Sequence, residues 1–281
     1  MRARVFGSTG KEVSAIGQGT WNMEKDGRRA AIDALRRGLD LGLTHIDTAE
    51  MYGDGKVEEM VGEAVAGRRG EVFLVSKVLP GNASRRGTVE ACGRSLKRLG
   101  TDHLDCYLLH WPGSHPLADT LAAFEELREA GKIRSWGLSN FDEDELAEAI
   151  GIAGEGKIAC NQVLYHLQER AVEHAVIPFC DEHGITVVAY SPFGSGDFPR
   201  PASRGGRVLA EIADAHGATS HQIALAFLLR FPSLFAIPKA ARAEHAAENA
   251  AAAAIRLGEA ELRRIDEAFP KGPRRRGVPT L

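Results

Sequence analysis

The feature of this sequence that most restricts its fold is the repeated alternation of short apolar runs with stretches of helical spacing. Eight such runs, rich in β-branched and other apolar residues, occur along the chain. They are Ala15 to Gly19, Thr44 to Asp47, Val72 to Lys77, Leu104 to His110, Ile133 to Leu138, Ile158 to Val163, Thr186 to Tyr190 and Leu234 to Pro238. Because continuous apolar strands that alternate with helices are typical of a parallel sheet covered on both faces, the pattern predicts repeated βα units.

The segments between these runs carry apolar residues at the spacing of amphipathic helices. They include Arg28 to Leu41, Val57 to Ala66, Thr88 to Leu99, Leu117 to Ala130, Asp144 to Ile150 and Val172 to His183. Ala246 to Ala254 predicts an alanine-rich helix near the end of the chain. Eight strand runs with intervening helices favour a single closed (β/α)₈ TIM barrel, with an open doubly wound sheet as the alternative on pattern alone.

Domain organisation follows from the composition between the units. No linker rich in Pro, Gly and Ser divides the chain, so we expect one domain over residues 1–281. The loosest segments are Phe193 to Gly206 and a short basic tail, residues 270–281. Before the first unit, Ala3 to Phe6 and Glu12 to Ser14 flank a Ser-Thr-Gly turn, which predicts a β-hairpin capping the barrel floor.

Charge and cysteine content exclude several classes of partner. The formal net charge is -3, from 35 Lys and Arg against 38 Asp and Glu, and both signs are interspersed, which disfavours nucleic acid and membrane surfaces. Four cysteines without a CxxC motif, Cys92, Cys106, Cys160 and Cys180, are expected to be reduced core residues. With no secretory signal or membrane span in the sequence, we expect a cytoplasmic monomer or weak homo-oligomer that binds a small molecule.

Polar residues appear at the end of one run after another, which is where a barrel of this kind collects its chemistry. They are Asp47 and Tyr52, Lys77, His110, Ser139 and Asn140, Asn161 and Gln162, Tyr190 and Ser191, and Lys239. A single strand-end polar group is easily explained by a neighbouring loop. Their recurrence at equivalent positions predicts a polar rim at one end of the barrel.

Four members of this rim, Asp47, Tyr52, Lys77 and His110, form a set suited to carbonyl reduction. The reaction needs a hydride from a cofactor and a proton from a donor that is neutral at working pH. We expect the Lys77 ammonium to lower the pKa of the Tyr52 phenol and so favour proton release, while Asp47 compensates the buried cation. His110 would donate a hydrogen bond to the substrate oxygen and assist the proton relay.

Other interpretations of the same residues are a structural ion pair with a core histidine, and a lyase or hydrolase in which Lys77 forms a Schiff base. A binding protein that senses the redox cofactor with little turnover is a further alternative. A metal site is not predicted, because the sequence has neither HxH nor HExxH and its histidines are scattered.

The motifs around these residues resemble those of the aldo-keto reductase family. Ile46 to Gly53 (IDTAEMYG), Val75 to Val78 (VSKV) and Leu104 to Pro112 (LDCYLLHWP) resemble the segments that hold the catalytic Asp, Tyr, Lys and His. Four further segments resemble the family's cofactor-binding segments: GLSNF (Gly137 to Phe141), NQV (Asn161 to Val163), AYSP (Ala189 to Pro192) and IPKA (Ile237 to Ala240). Within the family the chain is most similar to bacterial reductases of small aldehydes and 2-oxoaldehydes such as methylglyoxal.

The resemblance implies a dinucleotide bound across the rim without a GxGxxG loop, which this sequence lacks. It implies that Tyr190 stacks on the nicotinamide and that Ser139, Asn140 and Gln162 bind its carboxamide. The implied phosphate and adenine contacts are Ser191, Pro192, Phe193, Gly194, Lys239, Arg242, Glu248 and Asn249. The expected cofactor is NADPH, with NADH possible, because Ala240 and His245 replace two residues that many NADPH-selective members use.

Aromatic and thioether side chains after the strand ends are expected to wall the substrate pocket. They are Trp21, Met51, Trp111 and Phe193. The short tail implies an open pocket for small carbonyls, and the spacing GDGKVEE after Tyr52, longer than in the family's commonest signature, implies an altered loop with unchanged chemistry.

Overall fold

The computed structural model describes residues 3–281 and contains ten strands and ten α-helices in that range. The strands are β1 (Ala3–Val5), β2 (Glu12–Ser14), β3 (Gln18–Gly19), β4 (His45–Asp47), β5 (Phe73–Val78), β6 (Leu104–Leu109), β7 (Ile133–Ser139), β8 (Ile158–Leu164), β9 (Thr186–Tyr190) and β10 (Leu234–Ala236). The helices are α1 (Arg28–Asp40), α2 (Lys56–Val65), α3 (Arg85–Leu99), α4 (Leu117–Glu129), α5 (Glu143–Ala153), α6 (Val176–Glu182), α7 (Arg204–His216), α8 (Ser220–Leu228), α9 (Ala243–Ala252) and α10 (Glu259–Ala268).

Strands β3 to β10 form one sheet in which every neighbouring pair is parallel. Parallel bridges from Ile16 to Ala236 and from Gly19 to Lys239 join its two edges. The backbone N–H of Gly17 donates to the carbonyl of Ala236 at 2.8 Å across the same seam. The sheet therefore closes on itself, and the predicted (β/α)₈ barrel is confirmed over the open-sheet alternative.

The N-terminal hairpin of β1 and β2 covers the floor of this barrel, as predicted. The Phe6 ring packs against His45, Phe73 and Phe235, which stand near the starts of three strands. Its neighbour Gly7 has a φ of +48° and lies so close to strand β8 that a side chain would collide with backbone there. The hairpin thus seals the end of the barrel opposite the strand ends that carry the polar rim.

Helices α1 to α6 occupy the predicted segments, with ends that differ by a few residues. Helices α7, α8 and α10 were not predicted from the sequence. Helix α7 begins inside the segment Phe193 to Gly206 that was expected to be loose, because the Ser203 side chain accepts from the N–H of Gly206 as an N-cap. Thr219 and Gln222 form a capping box at the start of α8. Local capping signals were therefore present, although apolar periodicity did not reveal them.

The core lies inside the barrel and between its strands and helices. All four cysteines are buried and unpaired, as predicted. Within residues 3–281, no helix is long and apolar enough to cross a membrane.

Candidate active site

A cleft of about 820 Å³ opens at the carboxyl ends of the barrel strands. Side chains from both edges of the barrel seam and from most of the strand ends between them line it. They include Trp21, Asn22, Asp47, Met51, Tyr52, His110, Trp111, Ser139, Asn140, Gln162, Tyr190, Ser191, Pro192, Phe193 and Lys239. Most of the predicted rim thus forms a single concave surface, the usual setting for a small-molecule site. Lys77 and Asn161 are fully buried and do not line it, and Asn161 donates from Nδ2 to the Phe141 carbonyl.

A buried ammonium group lies at the base of the cleft. The Nζ of Lys77 donates to Oδ1 of Asp47 at 2.6 Å, to the Thr48 carbonyl at 2.8 Å and to the Tyr52 hydroxyl at 3.2 Å. The side chain of Lys77 is completely buried, and that of Asp47 nearly so. Because desolvation makes an isolated buried charge costly, the cation is stable here only through this carboxylate and the two oxygen acceptors.

The carboxylate of Asp47 is held from its other side as well. Gln162 donates from Nε2 to Oδ2 of Asp47 at 2.8 Å. One oxygen therefore meets Lys77 while the second meets Gln162, so the carboxylate cannot rotate without breaking a buried hydrogen bond. This contact orients Asp47 and makes Gln162 part of the same hydrogen-bonded group, which the sequence did not suggest.

Burial decides the protonation of Tyr52. Desolvation raises the pKa of its phenol, and this effect exceeds the lowering by the Lys77 ammonium, so the net shift is upward from the ordinary value. Lys77 lowers the pKa of Tyr52 as predicted, but burial, which the sequence did not reveal, outweighs this effect. Burial likewise disfavours the ammonium of Lys77, but attraction to Asp47 and Tyr52 outweighs it and raises the pKa of Lys77. Tyr52 is thus a protonated phenol beside a fixed cation.

The imidazole of His110 packs edge-on against the Tyr52 ring, with centroids 5.8 Å apart. Burial, followed by repulsion from Lys77, lowers the pKa of His110 to about 2. His110 is therefore neutral at ordinary pH and carries one N–H and one acceptor nitrogen. Such a ring donates a hydrogen bond to a substrate oxygen but does not supply a proton as an imidazolium.

The Schiff-base alternative for Lys77 is not supported by this geometry. An ammonium has three donors and no acceptor, and those of Lys77 have Asp47, Thr48 and Tyr52 as partners. Nucleophilic attack requires a neutral amine with a free lone pair, whereas the raised pKa favours the charged form.

A second hydrogen-bonded group lies beside the first. The Tyr190 hydroxyl donates to Oδ1 of Asn140 at 2.9 Å, and Nδ2 of Asn140 donates to the His110 carbonyl at 3.1 Å. Ser139 donates from Oγ to the Gln162 carbonyl at 2.9 Å. Asn140 adopts a φ of +62°, a left-handed conformation that asparagine tolerates better than most residues. These hydrogen bonds connect the ends of four strands, β6, β7, β8 and β9, around the cleft.

Several predicted cofactor residues lie outside the lining of the cleft. Gly194 does not line the cleft, whereas its neighbour Ser195 does. Arg242 is the N-cap residue of α9 and donates from Nη2 to Nε2 of His245 at 2.9 Å. Glu248 accepts from Gln222 through its backbone carbonyl, and Asn249 is buried. The predicted phosphate and adenine roles of these residues therefore stay predictions.

All four predicted substrate-pocket side chains, Trp21, Met51, Trp111 and Phe193, line the cleft. The longer spacing after Tyr52 is accommodated by a 3₁₀ turn, Tyr52–Gly55, with left-handed backbone at Gly53 and Asp54.

The C-terminal tail forms part of the cleft wall, a position that was not predicted from the sequence. Its residues Gly277, Val278, Thr280 and Leu281 line the cleft. Ion pairs from Arg274 to Glu143 and from Arg275 to Glu169 hold it against the barrel. The basic segment is solvated, as expected, but it also attaches the tail to the body of the protein. No local sequence signal indicated this contact, because more than a hundred residues separate the partners.

Within residues 3–281, no group of three or more His, Cys, Asp or Glu side chains could hold a metal ion. The chemistry available at the cleft is therefore that of a protonated phenol, a neutral imidazole and a buried ammonium–carboxylate pair.

Residues 15–269 match the sequence profile of the Aldo/keto reductase family. The chain belongs to this family.

Two relatives and one solved structure illustrate the similarity. The chain is 46% identical over 260 residues to methylglyoxal reductase YeaE of Escherichia coli (strain K12), covering 92% of each sequence. It is 29% identical over 330 aligned positions to the NADH-specific methylglyoxal reductase of the same strain, covering 96% of this chain and 100% of the relative. An aldo/keto reductase from Klebsiella pneumoniae, solved in complex with NADP and acetate, superposes with a TM-score of 0.93 at 42% identity and full coverage of both chains.

Proposed function

We propose that this protein reduces small aldehydes, including 2-oxoaldehydes of the methylglyoxal type, with NADPH as hydride donor and Tyr52 as proton donor. The observation that carries the proposal is the Tyr52 hydroxyl, 3.2 Å from a fully buried lysine ammonium at the base of an aromatic cleft. The similarity to methylglyoxal reductase YeaE supports the substrate class.

Tyr52 suits the role of acid because burial keeps its proton in place until a stronger base is near it. A carbonyl oxygen that gains negative charge during reduction becomes that base. The Lys77 ammonium then stabilises the phenolate left on Tyr52, and the Asp47 carboxylate keeps Lys77 in position. The proton thus passes from the Tyr52 oxygen to the substrate oxygen within a fixed charge arrangement.

His110 contributes orientation and electrostatic stabilisation in this scheme. Its neutral ring lies against Tyr52 and lines the cleft, so an N–H is available for the same substrate oxygen. Because Lys77 and burial both disfavour the imidazolium, His110 acts as a hydrogen-bond donor and Tyr52 alone as the acid.

The cleft has the residues that a nicotinamide dinucleotide requires. Tyr190 offers an aromatic face at the rim, Ser139 and Asn140 offer polar groups beside it, and Lys239 offers a cation after the neighbouring strand β10. When bound, the cofactor supplies a hydride to the carbonyl carbon. We assign the phosphate contacts to Lys239 and to the loop Ser191, Pro192 and Phe193, with Arg242, Glu248 and Asn249 outside the cleft as further adenosine contacts.

The experiment that tests the proposal follows the oxidation of NADPH by its absorbance with a panel of short aldehydes that includes methylglyoxal. We expect turnover by the wild type and a loss of about 10²- to 10⁴-fold in Tyr52→Phe. Tyr107→Phe is the matched control, since Tyr107 is a buried core tyrosine on β6 outside the cleft lining. Wild-type rates in Tyr52→Phe would contradict the assignment of the acid.

Two further outcomes of this experiment decide between NADPH and NADH as the preferred cofactor, and between an enzyme and a redox sensor. A higher kcat/KM with NADH than with NADPH would overturn the cofactor preference. Tight NADPH binding without turnover of any aldehyde would favour a redox sensor over an enzyme of this specificity.

A further inference from the structure

The cleft is poor in cations for a site that binds phosphate groups. Among the described residues that line it, Lys239 is the only lysine or arginine, whereas Asp47, Asp142 and Glu145 are acidic. The ammonium of Lys77 lies beneath the cleft and is already paired with Asp47. An anionic group entering the cleft therefore depends on Lys239 for its favourable charge interaction.

Lys239 already has an anionic partner within the chain. Its Nζ forms an ion pair with a carboxylate oxygen of Asp26 and lies 3.5 Å from the Asn22 carbonyl. Both side chains of the ion pair are about one-third exposed, so solvent and ligands reach them. Asp26 itself is not among the residues that line the cleft.

This pairing joins two parts of the barrel that meet at its seam. Lys239 follows strand β10, and its backbone bridges to Gly19 of strand β3. Asp26 lies in the short connection between β3 and helix α1, directly after a 3₁₀ turn, Met23–Lys25. The carboxylate is thus placed beside Lys239 by the closure of the barrel and not by sequence proximity.

We propose that Asp26 is an affinity-setting residue for the dinucleotide: its carboxylate competes with a cofactor phosphate for Lys239. This inference rests on the proposed function, in which Lys239 contacts a phosphate of the cofactor. A phosphate that approaches Lys239 must either share the ammonium with the Asp26 carboxylate or displace that carboxylate. If the ammonium is shared, the phosphate and the carboxylate lie close together and their negative charges repel each other. Asp26 therefore weakens binding of the cofactor.

The test is the dissociation constant of NADPH, followed by quenching of tryptophan fluorescence, since Trp21 and Trp111 line the cleft. We expect Asp26→Asn to bind NADPH about two- to five-fold more tightly than the wild type at low ionic strength, the range of a partly exposed ion pair. The gain should shrink at high salt, where such pairs are screened. Asp26→Glu should retain nearly the wild-type value, and Asp33→Asn, an exposed aspartate paired with Arg29 on helix α1, is the matched control.

A double-mutant cycle assigns the effect to Lys239. In the Lys239→Met background, which should bind NADPH more weakly, Asp26→Asn is expected to change the dissociation constant no further. The same titration with NADH locates the contact: an equal gain for both cofactors indicates the pyrophosphate, and a gain confined to NADPH indicates the 2′-phosphate.

Several results would overturn the inference. An unchanged or higher dissociation constant in Asp26→Asn would show that Asp26 does not compete, and a gain that persists in Lys239→Met would show a general field effect. In these cases the wild type still binds and reduces aldehydes, so the proposed function stands. A wild type that fails to bind NADPH would overturn both.

Discussion

The Nζ of Lys77 lies 3.2 Å from the phenolic oxygen of Tyr52, and both side chains are buried, with Lys77 beneath the cleft and Tyr52 in its lining. At this distance the cation stabilises a phenolate, while burial opposes one, and the two effects act on the same proton. The balance favours a phenol that keeps its proton until charge develops on a neighbouring oxygen. The charges of Lys77, Asp47 and Tyr52 consequently depend on one another, so that a change in any one of them alters the other two.

Removing the cation should destabilise the fold as well as stop turnover. In Lys77→Met the Asp47 carboxylate is left buried without its counter-ion, and we expect a loss of about 3–5 kcal/mol in the free energy of unfolding, measured with urea. The double variant Asp47→Asn/Lys77→Met removes the uncompensated charge and should recover most of that stability without recovering activity. A double variant no more stable than the single one would contradict the view that the pair is held by mutual charge compensation.

His110 should act without titrating in the working range. Because the pKa of His110 is lowered to about 2, kcat/KM should show no acidic limb from this residue between about pH 5 and 8. His110→Gln should lower kcat by about 10²- to 10³-fold through loss of the hydrogen bond to the developing oxyanion, with the dissociation constant of NADPH unchanged. An acidic limb near the ordinary histidine pKa that disappears in His110→Gln would show that the imidazolium takes part in catalysis.

Acid should weaken the barrel through His45, whose ring is fully buried among Phe6, Phe73 and Phe235. Within the described residues neither ring nitrogen of His45 has a hydrogen-bond partner, and burial lowers its pKa to about 4. Because the folded-state pKa lies below the ordinary value of about 6.5, the unfolded chain binds more protons between these values. The contribution of His45 to stability is therefore complete above pH 6.5 and is lost as the pH falls toward 4.

The loss should reach about 3 kcal/mol, since each unit of pKa difference corresponds to about 1.4 kcal/mol. In His45→Leu we expect unfolding free energies at neutral pH equal to or above those of the wild type, because two unpaired polar atoms are removed from the core. The additional loss of stability that His45 causes in the wild type between pH 6.5 and 4 should be absent in His45→Leu. Parallel pH dependence of the two proteins would exclude His45 as the source.

The tail should control which aldehydes enter. Arg274→Gln/Arg275→Gln removes the two ion pairs nearest to Val278 and Leu281, while the Lys271–Glu173 pair at the start of the tail remains, so Val278 and Leu281 would no longer be fixed in the cleft wall. We expect KM for short aldehydes to rise by several-fold while bulkier aldehydes are converted relatively better, measured as kcat/KM across the panel. Arg276→Gln, which leaves both ion pairs intact, is the control. Unchanged selectivity in the double variant would mean that the tail does not depend on these pairs.

Most of the architecture could be predicted from the sequence because the signals are local. Strand β9, Thr186 to Tyr190, coincides with its apolar run, since a strand buried on both faces must be apolar throughout. The catalytic candidates Asp47, Lys77 and His110 were identifiable because parallel strands in a barrel bring equivalent ends to one rim. Helix α8 was missed because its nearly all-apolar sequence hides the amphipathic period. Helix α7 has buried residues at helical spacing, Leu209, Ile212 and Ala213, and was missed because its start lies in a segment of Gly, Pro and Ser that was expected to be loose.

What the sequence by itself determined is the order of βα units and the residue types at the strand ends. Only the tertiary structure decided which of those residues meet: Gln162 reaches Asp47 across 115 positions of the chain, and Asp26 reaches Lys239 across the barrel seam. It also set the direction of the Tyr52 pKa, because desolvation is produced by every element packed around the phenol. Periodicity is a property of neighbours along the chain, whereas burial and charge pairing depend on distances in space that closure of the barrel creates.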